Sequence, residues 1–124
     1  MSRLFLIGLA GFVSTLGRYW LSGVVARRYG ETFPLGTLVV NLTGCFLVGL
    51  LFYILQERFV VNPTARTVIL IGFIGGFTTF SSFGLQTFTL LQDGEFGLAA
   101  LNLTASNFIG LALVWVGYTL ARIL

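Results

Sequence analysis

The sequence predicts an all-α membrane protein of four transmembrane helices, the third of them broken. Three observations predict it. Over 124 residues the chain is 56% hydrophobic and 9% charged, with a mean hydropathy of +0.97, whereas a soluble domain carries about 25% charged residues. Four apolar segments, at about 4–26, 35–55, 67–91 and 96–121, each reach the roughly 20 residues that cross a hydrocarbon core of about 30 Å. The third segment has a polar centre: residues 72–83 read Gly-Phe-Ile-Gly-Gly-Phe-Thr-Thr-Phe-Ser-Ser-Phe.

The first segment follows Arg3 and continues past Arg18 to Ala26 without a small-residue cleavage site, so it reads as a helix rather than a secretory signal. Arg27, Arg28, Gly30 and Glu31 form the first break, and Pro34 suits the opening turn of the second helix, where its missing donor costs nothing. Cys45 stands alone in the second span, which excludes an intrachain disulfide or a cysteine metal cluster and leaves a small packing residue. A second loop runs from Glu57 to Ala65, with Asn62 and Pro63 as a cap and first-turn pair.

The third segment would be roughly 37 Å long as a continuous helix, longer than the hydrocarbon core. Gly75 and Gly76, followed by Thr78, Thr79, Ser81 and Ser82, weaken helix propensity and supply hydroxyls for freed main-chain groups. A broken helix with exposed carbonyls follows. Such carbonyls suit a hard cation such as Na⁺, and half-helix N-termini suit an anion. The turn from Gln92 to Glu95 is short enough to make the third and fourth spans antiparallel neighbours. Residues 1–124 thus read as a single four-span domain. Small residues four apart (Gly72 with Gly76, Cys45 with Gly49, Ser106 with Gly110, Ala10 with Ser14) mark close helix packing in lipid.

Four spans collect Arg3, Arg58, Arg66 and Arg122 at one end and Arg27 and Arg28 at the other. Because orientation follows the Lys/Arg bias of short loops, this modest bias leaves two readings open: dual insertion with an antiparallel dimer, or one orientation with cytoplasmic termini. The basic residues are scattered over span ends rather than clustered, which excludes a nucleic-acid face.

Polar groups inside the spans form lines. Thr37 and Asn41 share one face of the second helix, and Asn102, Ser106 and Gly110 one face of the fourth. Flanking a broken, hydroxyl-rich helix, these read as a polar track rather than as isolated interhelical hydrogen bonds. Phe80 and Phe83 offer either a negative ring face to cations or a positive ring edge to anions. Arg18, the one charge well inside a span, is either a snorkelling anchor or a positive field at a vestibule. The chain has no His, and Glu31, Glu57, Asp93 and Glu95 all lie in loops or at span ends. Proton-coupled transport relies on intramembrane acids or His, so a passive pathway is favoured. With no carboxylate pair, activated nucleophile or metal-ligand cluster, enzyme activity is not expected. Two glycosylation-like patterns, at Asn41 and Asn102, fall inside spans and are chance matches.

The 72–83 string, Gly-Thr-Leu-Val-Val-Asn at 36–41 followed by Gly44 and Gly49, and the Gly8, Gly11, Gly17, Arg18, Tyr19 pattern closely resemble the Fluc (CrcB) fluoride channel family over nearly the whole chain. The resemblance implies an antiparallel dual-topology homodimer in the inner (plasma) membrane of a prokaryote, exporting fluoride passively through two pores. It also implies that Phe80 and Phe83 turn ring edges to the ion, and that Asn41, Thr37 and Ser81 line its path together with Thr79, Asn102 and Ser106. Main-chain carbonyls of Gly75 and Thr78 would hold a structural, untransported Na⁺ at the dimer centre. Two departures stand out: Gln86 replaces the glutamate of many members, and Gly110 and Val114 interrupt the hydroxyl line of the fourth span. Other readings are a small dual-topology multidrug-type transporter, which would need a carboxylate in the first helix, and a non-transporting membrane assembly subunit.

Overall fold

A computed structural model describes residues 2–124. Four helices are long and apolar enough to cross a membrane: α1 (Ser2–Tyr29), α2 (Leu35–Arg58), α3 (Pro63–Gln92) and α4 (Phe96–Ile123). The chain is a multi-pass membrane protein, with no strand among the described residues. Each helix outruns the apolar segment that seeds it. Arg27 and Arg28 end α1, Arg58 ends α2 and Arg122 lies in the last turn of α4. A cation there reaches the headgroup layer and complements the negative end of the helix dipole.

The connections follow from local chemistry. Gly30 adopts φ +81° just past α1, a left-handed conformation that side chains other than Gly seldom take, and its N–H closes the last turn on the Ala26 carbonyl at 2.8 Å. Asn62 Oδ1 accepts the Ala65 N–H at 2.8 Å with Pro63 beginning the helix, so α3 starts on a side-chain cap.

α1 packs on α2 and on the first half of α3, while α2 lies along the C-terminal half of α4. The small residues of the sequence meet one another across these seams. A Cβ added to Gly72 would lie 3.0 Å from the Ala10 Cβ, one on Gly76 3.5 Å from the Ser14 Cβ, and one on Gly110 3.3 Å from the Cys45 Sγ. Between α2 and α4 the main chains themselves touch: a Cβ on Gly49 or Gly117 would overlap the backbone of Val114 or Phe46. In lipid, where apolar burial gives no drive to association, such close approach is the main source of helix adhesion.

α3 is not uniform. A π-helical stretch, Val68–Ile74, leads into a last helical turn, Gly75–Phe77. Thr78 (φ −81°, ψ 158°) and Thr79 (φ −144°, ψ 111°) then take extended dihedrals before Phe80–Gln92 resumes the helix. The sequence places the weak point at Gly75 and Gly76, but both are helical. Gly76 serves packing instead, with Gly11 Cα 3.2 Å from where its Cβ would stand. The extended residues are the β-branched threonines, whose side chains favour that region. Beyond them, the second half of α3 contacts mainly the first half of α4, so this hairpin stands apart from α1 and α2 and leaves space between.

Candidate functional site

That space holds two cavities. One, of about 660 Å³, opens at the α1–α2 connection and is lined by Trp20, Arg27, Glu31, Thr37 and Gln86 among others. The second, of about 410 Å³, is a groove at the interruption of α3, lined by Asn41, Cys45, Thr79, Phe80, Phe83 and Ser106, with Gly75 and Thr78 in its wall. Thr37 and Asn41 are four residues apart on α2, a rise of about 6 Å. Gln86 and Phe83 are similarly one turn apart on α3. The two faces therefore lead from the outer cavity to the groove.

The interruption is held by side chains. Asn41 Nδ2 donates to the Thr79 carbonyl at 3.0 Å, and Asn41 Oδ1 accepts the Thr79 N–H at 2.8 Å, as a neighbouring strand would. Thr79 Oγ1 in turn accepts the Ser82 N–H at 3.2 Å and bonds Ser82 Oγ at 3.0 Å, capping the helix Phe80–Gln92. In an unbroken helix the Thr79 and Ser82 N–H groups would donate to the carbonyls of Gly75 and Thr78. Both donors are diverted, which frees the two carbonyls. Among the described residues no group of three His, Cys, Asp or Glu is placed to hold a metal ion. Gly44 makes room for this geometry, because a Cβ there would overlap Thr78 Cγ2.

Phe80 and Phe83 share one turn of the second half-helix, with ring centroids 5.5 Å apart and planes at 46°. Their surroundings differ sharply. Phe83 is 7% exposed and packs into the groove, while Phe80 is 81% exposed and projects away from the protomer. Ser106 reaches the groove from a π-helical turn of α4, Ala105–Ile109, and π-turns are frequent where a helix builds a functional site.

Three sequence-predicted residues lie outside both cavities. Ser81 is exposed and only grazes Thr79 Oγ1 at 3.4 Å. Asn102 is 2% exposed, its Nδ2 bonded to Thr87 Oγ1 at 2.9 Å. Arg18 is half-buried, with Nε donating to the Gly76 carbonyl at 3.4 Å, so its head is turned to the end of the first half-helix. In a continuous helix that carbonyl would receive the Phe80 N–H.

The CrcB-like protein family, Camphor Resistance (CrcB), matches residues 5–118. The chain belongs to this family. A protein of Opitutus terrae named fluoride-specific ion channel FluC is 46% identical over 98% of this chain and 93% of its own. A protein of the same name from Citrifermentans bemidjiense is 44% identical over the full length of both chains, and one from Nitrosococcus oceani is 44% identical over 95% and 94%.

Within this CrcB-family chain, two polar residues escaped sequence reading. Thr87 is buried and links Asn102 to the turn of α3 that carries Phe83; its only sequence signal is a hydroxyl four residues after that phenylalanine. Asn107 lines the groove beside Ser106, its Nδ2 on the Leu103 carbonyl at 2.8 Å. Its amide in an apolar span was the available sign.

Proposed function

We propose that this chain is a passive, fluoride-selective channel of a prokaryotic inner membrane. It works as an antiparallel, dual-topology homodimer with two pores and exports fluoride from the cytoplasm. One observation carries the reading: the interruption at Thr78 and Thr79 brings a half-helix N-terminus, the Asn41 amide and the Phe83 ring to one groove. The relatives named as fluoride-specific ion channels support it.

Fluoride is small and strongly hydrated, so a path for it must replace water with donors. Asn41 Nδ2 uses one N–H on Thr79, and the second is available to an ion in the groove. The positive ring edges of Phe83 and Phe80 and the positive end of the Phe80–Gln92 helix dipole complete a donor set. None of these groups binds a proton, and a channel built from them needs no proton exchange.

The dimer is supported by two features of the protomer. Phe80 shares the groove yet turns most of its surface outward, so a second copy is required to close the path around it. Charge favours the antiparallel arrangement. One end of the chain carries Arg3, Arg58, Arg66 and Arg122 against Glu57, and the other Arg27 and Arg28 against Glu31, Asp93 and Glu95. Antiparallel protomers set unlike ends side by side, whereas parallel ones would juxtapose two arginine-rich ends.

The freed carbonyls of Gly75 and Thr78 fit a hard, oxygen-ligated cation, and two from each protomer would give four. Sodium held by these carbonyls would supply a fixed positive charge and would satisfy main-chain oxygens that α3 no longer pairs.

The test is efflux from liposomes holding the purified protein. Fluoride should leave far faster than chloride, with no dependence on a proton gradient. Comparable chloride flux, or a requirement for proton exchange, overturns the reading.

A further inference from the structure

Asn102 and Ser106 align on the sequence as a polar track, yet only Ser106 opens to the groove. Asn102 belongs to a dry relay. Ser106 Oγ donates to Asn102 Oδ1 at 3.5 Å, Asn102 Nδ2 donates to Thr87 Oγ1 at 2.9 Å, and Thr87 Oγ1 donates to the Phe83 carbonyl at 2.7 Å. Asn102 and Thr87 are 2% and 7% exposed. Neither lines the groove or the larger cavity.

Its connections point to another role. The relay starts at a groove residue on α4 and ends on the main chain of a groove residue on α3. A threonine bonding the carbonyl four residues back bends its helix slightly, and the direction depends on where the hydroxyl is held. Here Asn102 holds it, from the neighbouring helix. The half of α3 that carries Phe83 has few other contacts with the protomer, so this buried pair is the main directional bond between it and α4. We propose that Asn102 and Thr87 are positioning residues for Phe83, acting by orienting its turn of helix rather than by touching the ion. The proposal rests on the reading above that Phe83 borders the fluoride path.

The variants are Thr87→Val, which keeps the shape and deletes the hydroxyl, Asn102→Leu, which deletes the donor, and Thr87→Ser, which restores the hydroxyl. Fluoride efflux is measured in liposomes. Independently, 4-fluorophenylalanine placed at position 83 by codon suppression is followed by ¹⁹F NMR in fluoride-free buffer. Efflux should fall roughly fivefold in Thr87→Val and Asn102→Leu, about 1 kcal/mol at 1.4 kcal/mol per tenfold. The resonance should shift or broaden in both, and Thr87→Ser should resemble wild type in both measurements. Wild-type flux in Thr87→Val, or a flux loss with an unmoved resonance, overturns the proposal. Phe83→Ile separates the two readings: if it conducts like wild type, the pathway reading fails and takes the proposal with it. If it is impaired while Thr87→Val is normal, only the proposal fails.

Discussion

Asn41 on α2 grips Thr79 on α3 by both of its main-chain polar groups, at 3.0 and 2.8 Å. One amide thereby replaces the helical partners that Thr79 gives up. Extended backbone in the middle of a span is tolerated in a membrane only where its N–H and C=O groups are satisfied, so this pair is what allows the interruption to exist. It also leaves the second Asn41 N–H without a use in holding Thr79.

Replacing that side chain should separate its structural role from the conducting role proposed for it. Asn41→Leu removes both bonds to Thr79, and the protein should lose about 1–3 kcal/mol of stability, seen as a lower unfolding midpoint in detergent. Asn41→Asp keeps an acceptor for the Thr79 N–H but sets a carboxylate in an anion path. It should be the better folded and the poorer conductor of the two. Equal fluoride efflux in Asn41→Asp and wild type would show that the amide serves the protein alone.

Phe80 and Phe83 are expected to act through their ring edges. Phe80→Ile and Phe83→Ile keep apolar bulk and delete the positive edge. Fluoride flux should drop up to roughly tenfold in each, while the dimer survives size exclusion. Unchanged flux in both variants returns the two rings to packing.

Sodium should matter to assembly as well as to conduction. Exchanging Na⁺ for K⁺ or N-methylglucamine on both sides of the membrane should lower fluoride efflux and the thermal stability of the dimer together. The carbonyls of Gly75 and Thr78 would otherwise stay unpaired, at about 1–3 kcal/mol each. If thorough depletion changes neither quantity, both carbonyls are satisfied within the protein and the cation site is absent.

Dual insertion is open to labelling. In a Cys45→Ser background, Arg27→Cys and Arg58→Cys place thiols at opposite ends of the chain. Membrane-impermeant reagents should reach part of each population from either side. Labelling of each position from one side only would establish a single orientation.

Much of the architecture was legible because each span must satisfy its own backbone in lipid, which forces a long apolar run with its charges at the ends. The four helices, the Asn62 cap and the small residues four apart at Ala10 and Ser14 and at Gly72 and Gly76 all follow from such local or short-period rules, although which pair meets which does not. The polar centre of α3 was visible too, since hydroxyls and glycines at mid-depth demand a reason.

What the one-dimensional pattern by itself could determine stops at which residues are polar and where along a helix they stand. Tertiary structure decided what they face. It set the extended residues at Thr78 and Thr79, within the glycine- and hydroxyl-rich stretch, because Asn41, 38 positions earlier, supplies the hydrogen bonds that make extension affordable there. It likewise turned Arg18 onto the Gly76 carbonyl and buried Asn102 against Thr87. Helical spacing assigns a residue to a face, but only the neighbouring helix determines whether that face meets a cavity, a partner group or lipid.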